Sequence, residues 1–234
     1  MQHCEISAYV IRMKGEGPSE MLAEDCINSG KKHGIDIIPF DAVWGDEVDP
    51  LYKKEKLFPF PKSKEHRNTK GVRGCFLSHY RLWKKCANED KPLLIFEHDA
   101  EIIRPIPLDH FDKQHFDVLN LDAYSRSKEN YLEHLETWYG NEIQQHVLWH
   151  PLKKGFSLYN HTHIIGLHAY IIRPLGAKRL IKHTKQIGVL PADIAVNGIW
   201  CRLYRTQTSF CRLNPKSCKD ESKSSKWSYT KTEQ

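Results

Sequence analysis

The amino-acid sequence predicts an α/β fold with a mostly parallel central sheet, and three observations lead to this class. A strand, a helix and a second strand follow one another over residues 8–40, an order typical of a parallel layer with a right-handed crossover. A helix rich in aromatic residues then leads into the wholly apolar run 93–96, which is typical of a strand covered on both faces. A strand followed by a helix recurs near residue 170, so the alternation extends over most of the chain.

The first three elements are placed by apolar spacing and by capping residues. Residues 8–11 form the first strand and residues 35–40 the second. Between them, Ser19 is predicted to cap a helix over about residues 20–33, which Gly34 ends.

A second helix is predicted over residues 71–87, because apolar side chains there recur at i, i+4, i+7 and i+11 and so share one face. They are Phe76, Tyr80, Trp83 and Ala87. Further strands are predicted at residues 116–121 and 168–172, and Pro174 with Gly176 opens another helix. Residues 125–155 show no clean period, so no element is predicted there.

Length and composition indicate one globular domain. The chain has 234 residues, 40% of them hydrophobic, and its apolar runs are far too short to cross a bilayer. Its start lacks the basic patch and apolar segment of a secretory signal. Seven cysteines without a C-x-x-C pair argue against a disulfide framework and against structural zinc. We therefore expect a soluble, cytoplasmic protein.

The net charge of +6 is concentrated in one segment. Between Lys53 and Arg73, eight basic residues stand against two acidic ones, which equals the excess of the whole chain. Such a segment suits a phosphate-rich ligand, an anionic membrane surface or a nucleic acid, and a solvated loop explains it equally well. Residues 214–234 are rich in Lys and Ser and are predicted to be a basic tail.

An acidic triplet, Glu97-His98-Asp99, directly follows the apolar strand. On an extended chain both carboxylates point the same way, because side chains alternate. Two hard oxygen ligands on one face suit Mn²⁺ or Mg²⁺ beside a diphosphate. A solvated acidic turn is the alternative, since the triplet alone is a weak signal.

Four motifs in a fixed order carry a resemblance to a known family. They lie at residues 71–79 (GVRGCFLSH), 95–99 (IFEHD), 116–119 (FDVL) and 166–180 (GLHAYIIRPLGAKRL), and LPAD at residues 190–193 closes the series. On these motifs the chain resembles glycosyltransferase family 25, which includes lipooligosaccharide galactosyltransferases and collagen galactosyltransferase domains. Two positions depart from the family pattern: His98 replaces the middle acid of Glu-Asp-Asp, and Val72-Arg73 replaces Glu-Ile.

The resemblance implies a GT-A-like single domain over residues 1–213. Within it, a Rossmann-like nucleotide-sugar half over about residues 1–124 is joined to an acceptor half over about residues 125–213. It also implies a UDP-sugar donor, a glycan acceptor, and Mn²⁺ or Mg²⁺ as the metal. A cytoplasmic enzyme of this kind, peripheral to the inner face of a membrane, would contact its anionic surface.

The reaction implied is the metal-dependent, inverting transfer of a hexose, galactose first, to a saccharide hydroxyl of a lipooligosaccharide or another glycan. Glu97 and Asp99 are the predicted metal ligands. Asp193 is the candidate catalytic base, and Asp122 is the second candidate. Asp193 also suits a helix cap, because Pro191-Ala192-Asp193 precedes an apolar stretch.

Five other residues are candidates for the nucleotide-sugar site. Ile11 and Arg12 end the first strand, where the family binds uracil and ribose. His168 either completes the metal or diphosphate site or is a structural group. Ser78 and His79, placed at a helix start, either meet phosphate or cap and pack. His161 and His163 are interpreted as surface or substrate-loop residues.

Three other functions are compatible with the sequence. A basic glycosyltransferase could modify hydroxymethylated DNA bases, with the Lys53–Arg73 segment along the phosphate backbone. A family member whose Glu-His-Asp no longer holds metal would only bind glycans. A metal-dependent phosphohydrolase is the third.

Overall fold

A computed structural model of the protein describes residues 6–61, 69–112, 115–122, 143–145, 167–206 and 209–218, with only the backbone of residues 112, 143–145, 205 and 218. Within these ranges the strands are β1 Ser7–Arg12, β2 Ile37–Asp41, β3 Leu93–Glu97, β4 Ala100–Ile102, β5 Val118–Asn120, β6 Ile143–Gln145, β7 Ala169–Ile172, β8 Leu203–Thr206 and β9 Cys211–Leu213. The helices are α1 Gly17–Lys32, α2 Val48–Lys54, α3 Lys70–Glu89, α4 Leu108–Asp112, α5 Pro174–Ile187, α6 Ala192–Ala195 and α7 Pro215–Cys218, and a 3₁₀ turn spans Gly45–Glu47.

The main sheet has the strand order β2-β1-β3-β7-β5-β8-β6. Strands β1, β2 and β3 pair in parallel, as do β5 and β8, whereas β7 and β6 are antiparallel to their neighbours. Five of these seven strands therefore run in one direction. This confirms the predicted α/β class with a mostly parallel central sheet, which is the arrangement expected of a GT-A-like fold. A separate ribbon pairs β4 with β9.

Helix α1 begins earlier than the sequence predicted. It starts at Gly17, with Pro18 in its first turn, so Ser19 lies inside the helix and does not cap it. The Ser19 hydroxyl instead accepts a hydrogen bond from the Met13 N–H at 2.9 Å, which holds the loop that leaves β1. The predicted end is confirmed, because the helix stops at Lys32 and Gly34 adopts a φ of +75°.

Helix α3 carries the aromatic face that the sequence predicted. Thr69 caps its start by accepting from the Val72 N–H at 3.3 Å, and Phe76, Tyr80 and Trp83 are fully buried. Because the helix begins at Lys70, Ser78 lies two turns inside it. The prediction that Ser78 and His79 stand at a helix start is therefore wrong.

Two apolar layers cover the sheet, one on each face. Strand β3 contributes Leu93 and Ile95 to one layer, and Leu94 and Phe96 to the other. Helices α3 and α5 pack on the first face, and α1 packs on the second. The prediction that β3 is covered on both faces is confirmed, and its end is the point at which it can meet solvent.

Asp117 joins three parts of the fold at the start of β5. Its carboxylate is fully buried and accepts from the Arg202 backbone N–H at 2.8 Å, from the Arg202 guanidinium at 3.0 Å and from Arg179 of α5. Gly176 brings α5 close, since a Cβ at this residue would lie 2.5 Å from the Asp117 carbonyl oxygen. A side chain at residue 176 would therefore push α5 away from the sheet.

Several predictions fall outside the described residues. Most of the proposed acceptor half before residue 167, including His161 and His163, is among them, as is the tail from residue 219 onward. The division into two halves therefore stays a prediction. In the part of the chain that is described, no helix has the length and apolar character needed to span a membrane.

Candidate active site

The acidic triplet lies where β3 ends. Glu97 is the last residue of the strand, and His98 and Asp99 form the turn into β4. His168 Nδ1 lies 3.5 Å from Glu97 Oε2 and 3.4 Å from Asp99 Oδ1. Both carboxylates therefore face one point, as the sequence predicted, although a turn rather than an extended chain brings them there. The ligand clusters found among the described residues do not include His98.

Backbone hydrogen bonds from two distant segments hold this turn. The Glu97 N–H donates to the His168 carbonyl oxygen at 2.8 Å, directly before β7. The Asn214 N–H donates to the Asp99 carbonyl oxygen at 2.7 Å, directly after β9. The Asn214 side chain is buried and donates in turn to Asp25 Oδ2 of α1 at 3.2 Å. The position of Asp99 is therefore fixed from the C-terminal side of the fold.

The charges of Glu97 and His168 stabilise each other. Burial alone would raise the pKa of Glu97, but contacts with His168 and His79 hold it well below its usual value. Burial alone would lower the pKa of His168, but Asp99 and Glu97 raise it well above its usual value. The cluster therefore keeps Glu97 ionised and prefers a positive charge at the place where the two carboxylates meet.

A chain of buried hydrogen bonds orients Glu97 from the other side. Trp83 Nε1 donates to the Tyr170 hydroxyl oxygen at 2.9 Å, and the Tyr170 hydroxyl lies 3.0 Å from His79 Nδ1. Indole can only donate, so every group is satisfied when the Tyr170 O–H donates to His79 Nδ1. His79 then carries its proton on Nε2 and donates to Glu97 Oε1 at 3.2 Å.

The residues of the cluster suit a divalent cation. Glu97, Asp99 and His168 each offer a ligand atom, and these atoms all lie within 4.8 Å of one another. Asp99 Oδ1 is buried and, apart from the 3.4 Å contact with His168 Nδ1, has no hydrogen-bond partner among the described residues. Two carboxylate oxygens and a neutral imidazole nitrogen are ligands that Mn²⁺ accepts, so His168 would release its ring proton when such an ion replaced the positive charge beside Asp99.

The other candidates for the nucleotide-sugar site, Ile11, Arg12 and Ser78, lie in different environments. Ile11 pairs with Glu97 across β1 and β3, but its side chain packs into the core. Arg12 ends β1 at the same edge of the sheet and its Nε donates to Asp41 Oδ1 at 3.1 Å. The buried Ser78 hydroxyl donates to the Gly74 carbonyl oxygen and accepts from the Val43 N–H, so it packs internally and is not brought to the cluster.

The two candidate bases differ in exposure. Asp193 is partly exposed and lies in the first turn of α6, where Pro191 rather than Asp193 occupies the cap position. The Cys75 pKa is raised by desolvation of the sulfur and then by the charges of Glu97, Asp193 and Asp99, so Asp193 lies on the side of the acidic turn. The helix-cap interpretation of Asp193 is therefore not supported.

Asp122 is buried just beyond the end of β5. One carboxylate oxygen accepts from the Ser209 hydroxyl at 3.2 Å, and the other accepts no hydrogen bond from the described part of the chain. Burial raises the pKa of Asp122 to about 6, although the positive charge of His168 and the Ser209 hydrogen bond lower it. Asp122 therefore lies near His168 but below the surface.

Two basic residues in the described part of the basic segment pair with nearby acids. Lys70 Nζ lies 3.1 Å from Asp46 Oδ1, and Arg73 NH1 lies 3.0 Å from Asp49 Oδ1. The Arg73 guanidinium also stacks over the Tyr52 ring. These contacts hold the 3₁₀ turn and α2 against the start of α3. Two basic residues of the segment therefore stabilise the fold.

Comparison with known proteins gives the family of this chain. A family model described as glycosyltransferase family 25 (LPS biosynthesis protein) matches residues 22–196. The chain belongs to glycosyltransferase family 25, and the class predicted from its motifs, a glycosyltransferase, is confirmed.

Two curated relatives come from Haemophilus influenzae. The lipooligosaccharide biosynthesis protein lic2B is 56% identical over 66 residues, which are 27% of this chain and 24% of the relative. The lipooligosaccharide biosynthesis protein lex-1 is 30% identical over 165 residues, which are 65% of this chain and 50% of the relative. The chain thus spans half or less of the length of these relatives.

Two solved structures are distantly similar. The bifunctional glycosyltransferase WbbM aligns with 86% of this chain and 38% of its own, at 11% identity and a TM-score of 0.44. Mouse xyloside xylosyltransferase 1 aligns with 83% of this chain and 81% of its own, at 11% identity and a TM-score of 0.41.

Proposed function

We propose that this protein transfers a hexose, with galactose the first candidate, from a UDP-sugar to a saccharide hydroxyl in lipooligosaccharide biosynthesis. The observation that carries the proposal is the convergence of Glu97, Asp99 and His168 at the end of β3, in a chain of glycosyltransferase family 25. The names of the two Haemophilus relatives support a lipooligosaccharide as the acceptor.

Glu97, Asp99 and His168 are the residues that would hold Mn²⁺, with Mg²⁺ as the alternative. A cation at this place neutralises negative charge on a departing diphosphate. Glu97 is suited to the role because its pKa is well below the usual value and because His79 fixes one of its oxygens. Asp99 is suited because one of its buried oxygens has no hydrogen-bond partner among the described residues apart from the 3.4 Å contact with His168 Nδ1.

Inversion at the anomeric carbon requires a base on the face opposite the leaving group. We assign this role to Asp193, because it is partly exposed and lies on the side of the acidic turn. Asp193 takes the proton of the acceptor hydroxyl while that oxygen bonds to the anomeric carbon. UDP leaves with the electron pair of the broken bond. Asp122 remains the second candidate, since a pKa of about 6 also suits a base.

The acceptor of such a reaction is built on a lipid, so the proposal includes a location at the inner face of a membrane. The basic segment between Lys53 and Arg73 would contribute through attraction to anionic headgroups. The Lys70 and Arg73 ion pairs reduce the charge that is available for this contact.

Substitution of the two candidate bases distinguishes them. We expect Asp193→Asn to lower kcat about 10²- to 10³-fold, because general-base catalysis is lost, with little change in KM for the donor. We expect Asp122→Asn, the matched control, to lower kcat less than about tenfold. Initial rates of UDP release in the presence of an acceptor glycan measure both. The opposite order of effects would assign the base to Asp122.

A thermal-shift series tests the donor class. We expect UDP with Mn²⁺ to raise the Tm by about 5–10 °C at ligand concentrations near 100 times Kd, because ligand binding stabilises the folded state by mass action. ADP or GDP with Mn²⁺, and UDP with EDTA, are the controls and should shift the Tm by less than about 2 °C. Equal shifts with all nucleotides would contradict a uridine donor.

A further inference from the structure

A second group of ligand-type side chains lies beside the first and shares Glu97 with it. Cys75 and His79 are four residues apart on α3 and therefore lie on one face of the helix. A ligand atom of each, with a carboxylate oxygen of Glu97, forms a set in which all three lie within 4.8 Å of one another. Cys75 has exposed surface, although protein atoms around its sulfur desolvate that atom.

We propose that Cys75, His79 and Glu97 form a binding site for a thiophilic divalent cation, Zn²⁺ in the first place. A thiolate, an imidazole and a carboxylate are the three ligand types that bind Zn²⁺ in proteins. Three protein ligands leave a fourth position for water or a substrate oxygen, as in zinc sites that are not purely structural. The absence of a C-x-x-C pair argued against structural zinc only, and this site requires no such pair.

The geometry of His79 and Glu97 already suits a shared ion. His79 Nε2 lies 3.2 Å from Glu97 Oε1, close to the roughly 3.3 Å that separates two tetrahedral ligands at about 2.0–2.1 Å from one zinc. When His79 Nε2 binds the ion, the ring proton moves to Nδ1 and is donated to the Tyr170 oxygen, which also accepts from Trp83. The buried Tyr170 O–H then loses its acceptor on His79, a cost that the bonds to the ion must exceed. Tyr170 then orients the ligand as outer-shell partners of zinc-bound histidines do.

The surrounding charges favour a cation at this place. Glu97, Asp193 and Asp99 all act on the Cys75 sulfur, and their negative charges oppose a bare thiolate. The same charges attract a divalent cation, which displaces the thiol proton into solvent and binds the sulfur as thiolate. Each Zn²⁺ bound therefore releases one proton from Cys75.

Sharing of Glu97 links this site to the proposed reaction. Glu97 Oε1 faces His79, and Glu97 Oε2 faces His168. A cation bound by Cys75 and His79 would coordinate the same Glu97 carboxylate that a cation bound by Asp99 and His168 requires. We therefore expect Zn²⁺ to inhibit the proposed sugar transfer by the wild-type protein, and to inhibit the Cys75→Ser variant much less.

Cobalt(II) tests the site directly, because a cobalt–thiolate bond gives a near-ultraviolet charge-transfer band that oxygen and nitrogen ligands do not give. We expect one equivalent of Co²⁺ to produce the band in the wild-type protein, and Zn²⁺ to remove it. Cys75→Ser should lose the band and weaken Zn²⁺ binding by more than the roughly 10–100-fold that loss of an outer-shell partner costs. Circular dichroism checks that this variant is folded.

Three further variants keep the test independent of the catalytic proposal. Asp99→Asn should retain the band, even when it has lost transfer activity, so failure of one proposal is visible without failure of the other. Cys4→Ser and Cys218→Ser should also retain it. A wild-type protein without the band at millimolar Co²⁺, or a band that persists in Cys75→Ser, would overturn the inference.

Discussion

Asp99→Asn is expected to lower the rate of the proposed sugar transfer by about three orders of magnitude, because it removes a negative charge from Glu97, Asp99 and His168, the residues proposed to hold the cation. Asparagine keeps the size and one oxygen of the side chain, so the turn between β3 and β4 should stay in place. The Asn214 hydrogen bond to the residue 99 carbonyl oxygen does not depend on the side chain. Rates of UDP release with and without Mn²⁺ measure the effect.

Glu101→Gln is the matched control, since it removes the same charge two residues away. Glu101 pairs with Arg212 Nε at 2.7 Å across the β4–β9 ribbon and is not part of the ligand group. We expect its rate to stay within about threefold of wild type. Mn²⁺ affinity, measured by calorimetry without donor, should fall in Asp99→Asn alone. An unchanged Mn²⁺ affinity in Asp99→Asn would remove the metal role from Asp99.

Asp117→Ala is expected to lower the free energy of unfolding by about 3 kcal/mol. The change removes a fully buried carboxylate that accepts from the Arg202 backbone, the Arg202 guanidinium and Arg179. Both arginine side chains are partly exposed and can reach water, so the loss should stay below that for an ion pair with both partners buried. The Arg202 N–H, however, loses its acceptor.

Lys178→Ala provides the comparison, because Lys178 precedes Arg179 on α5 and pairs with Asp90 on the surface. We expect this variant to change the free energy of unfolding by less than about 0.5 kcal/mol. Urea denaturation of both variants, followed by circular dichroism, gives the two values. If Asp117→Ala proved as stable as Lys178→Ala, the joint between α5, β5 and β8 would contribute little to the fold.

Local sequence patterns were sufficient to predict features that depend on a single helix or strand. The aromatic spacing of Phe76, Tyr80 and Trp83 identified α3, because helical periodicity alone puts these side chains on one face. The apolar run before Glu97 identified β3 and the position of the acidic turn at its end. The same pattern predicted that both carboxylates face one point, which the contacts with His168 bear out.

Sequence patterns were insufficient to predict hydrogen bonds between side chains that are distant in the sequence. The sequence placed Trp83 on the apolar face of a helix and Tyr170 in a predicted strand, yet the polar atoms of both orient His79. The signal available was chemical: a buried hydroxyl or indole N–H requires a hydrogen-bond partner. Which partner it finds depends on the packing of β7 against α3, and no local pattern contains that information.

Two errors had a local cause. Ser19 was read as a helix cap because serine is common there, but Pro18 in the first turn allows the helix to start at Gly17. Ser78 and His79 were assigned to a helix start, although the predicted helix already began at residue 71 and α3 begins at Lys70. Gly74, between these positions, permits close packing, since a Cβ there would lie 2.6 Å from the Val43 carbonyl oxygen.

The attachment of Asp99 to Asn214 has a consequence for biosynthesis. A ribosome-bound chain that has emerged through residue 200 already contains every proposed ligand, yet it lacks β9 and the Asn214 N–H that fasten the turn. Because the Asn214 N–H can reach Asp99 only after all of β9 has been synthesised, the turn that carries the proposed ligands is held in place late in folding. Translation products that stop before residue 211 should therefore lack the proposed transferase activity.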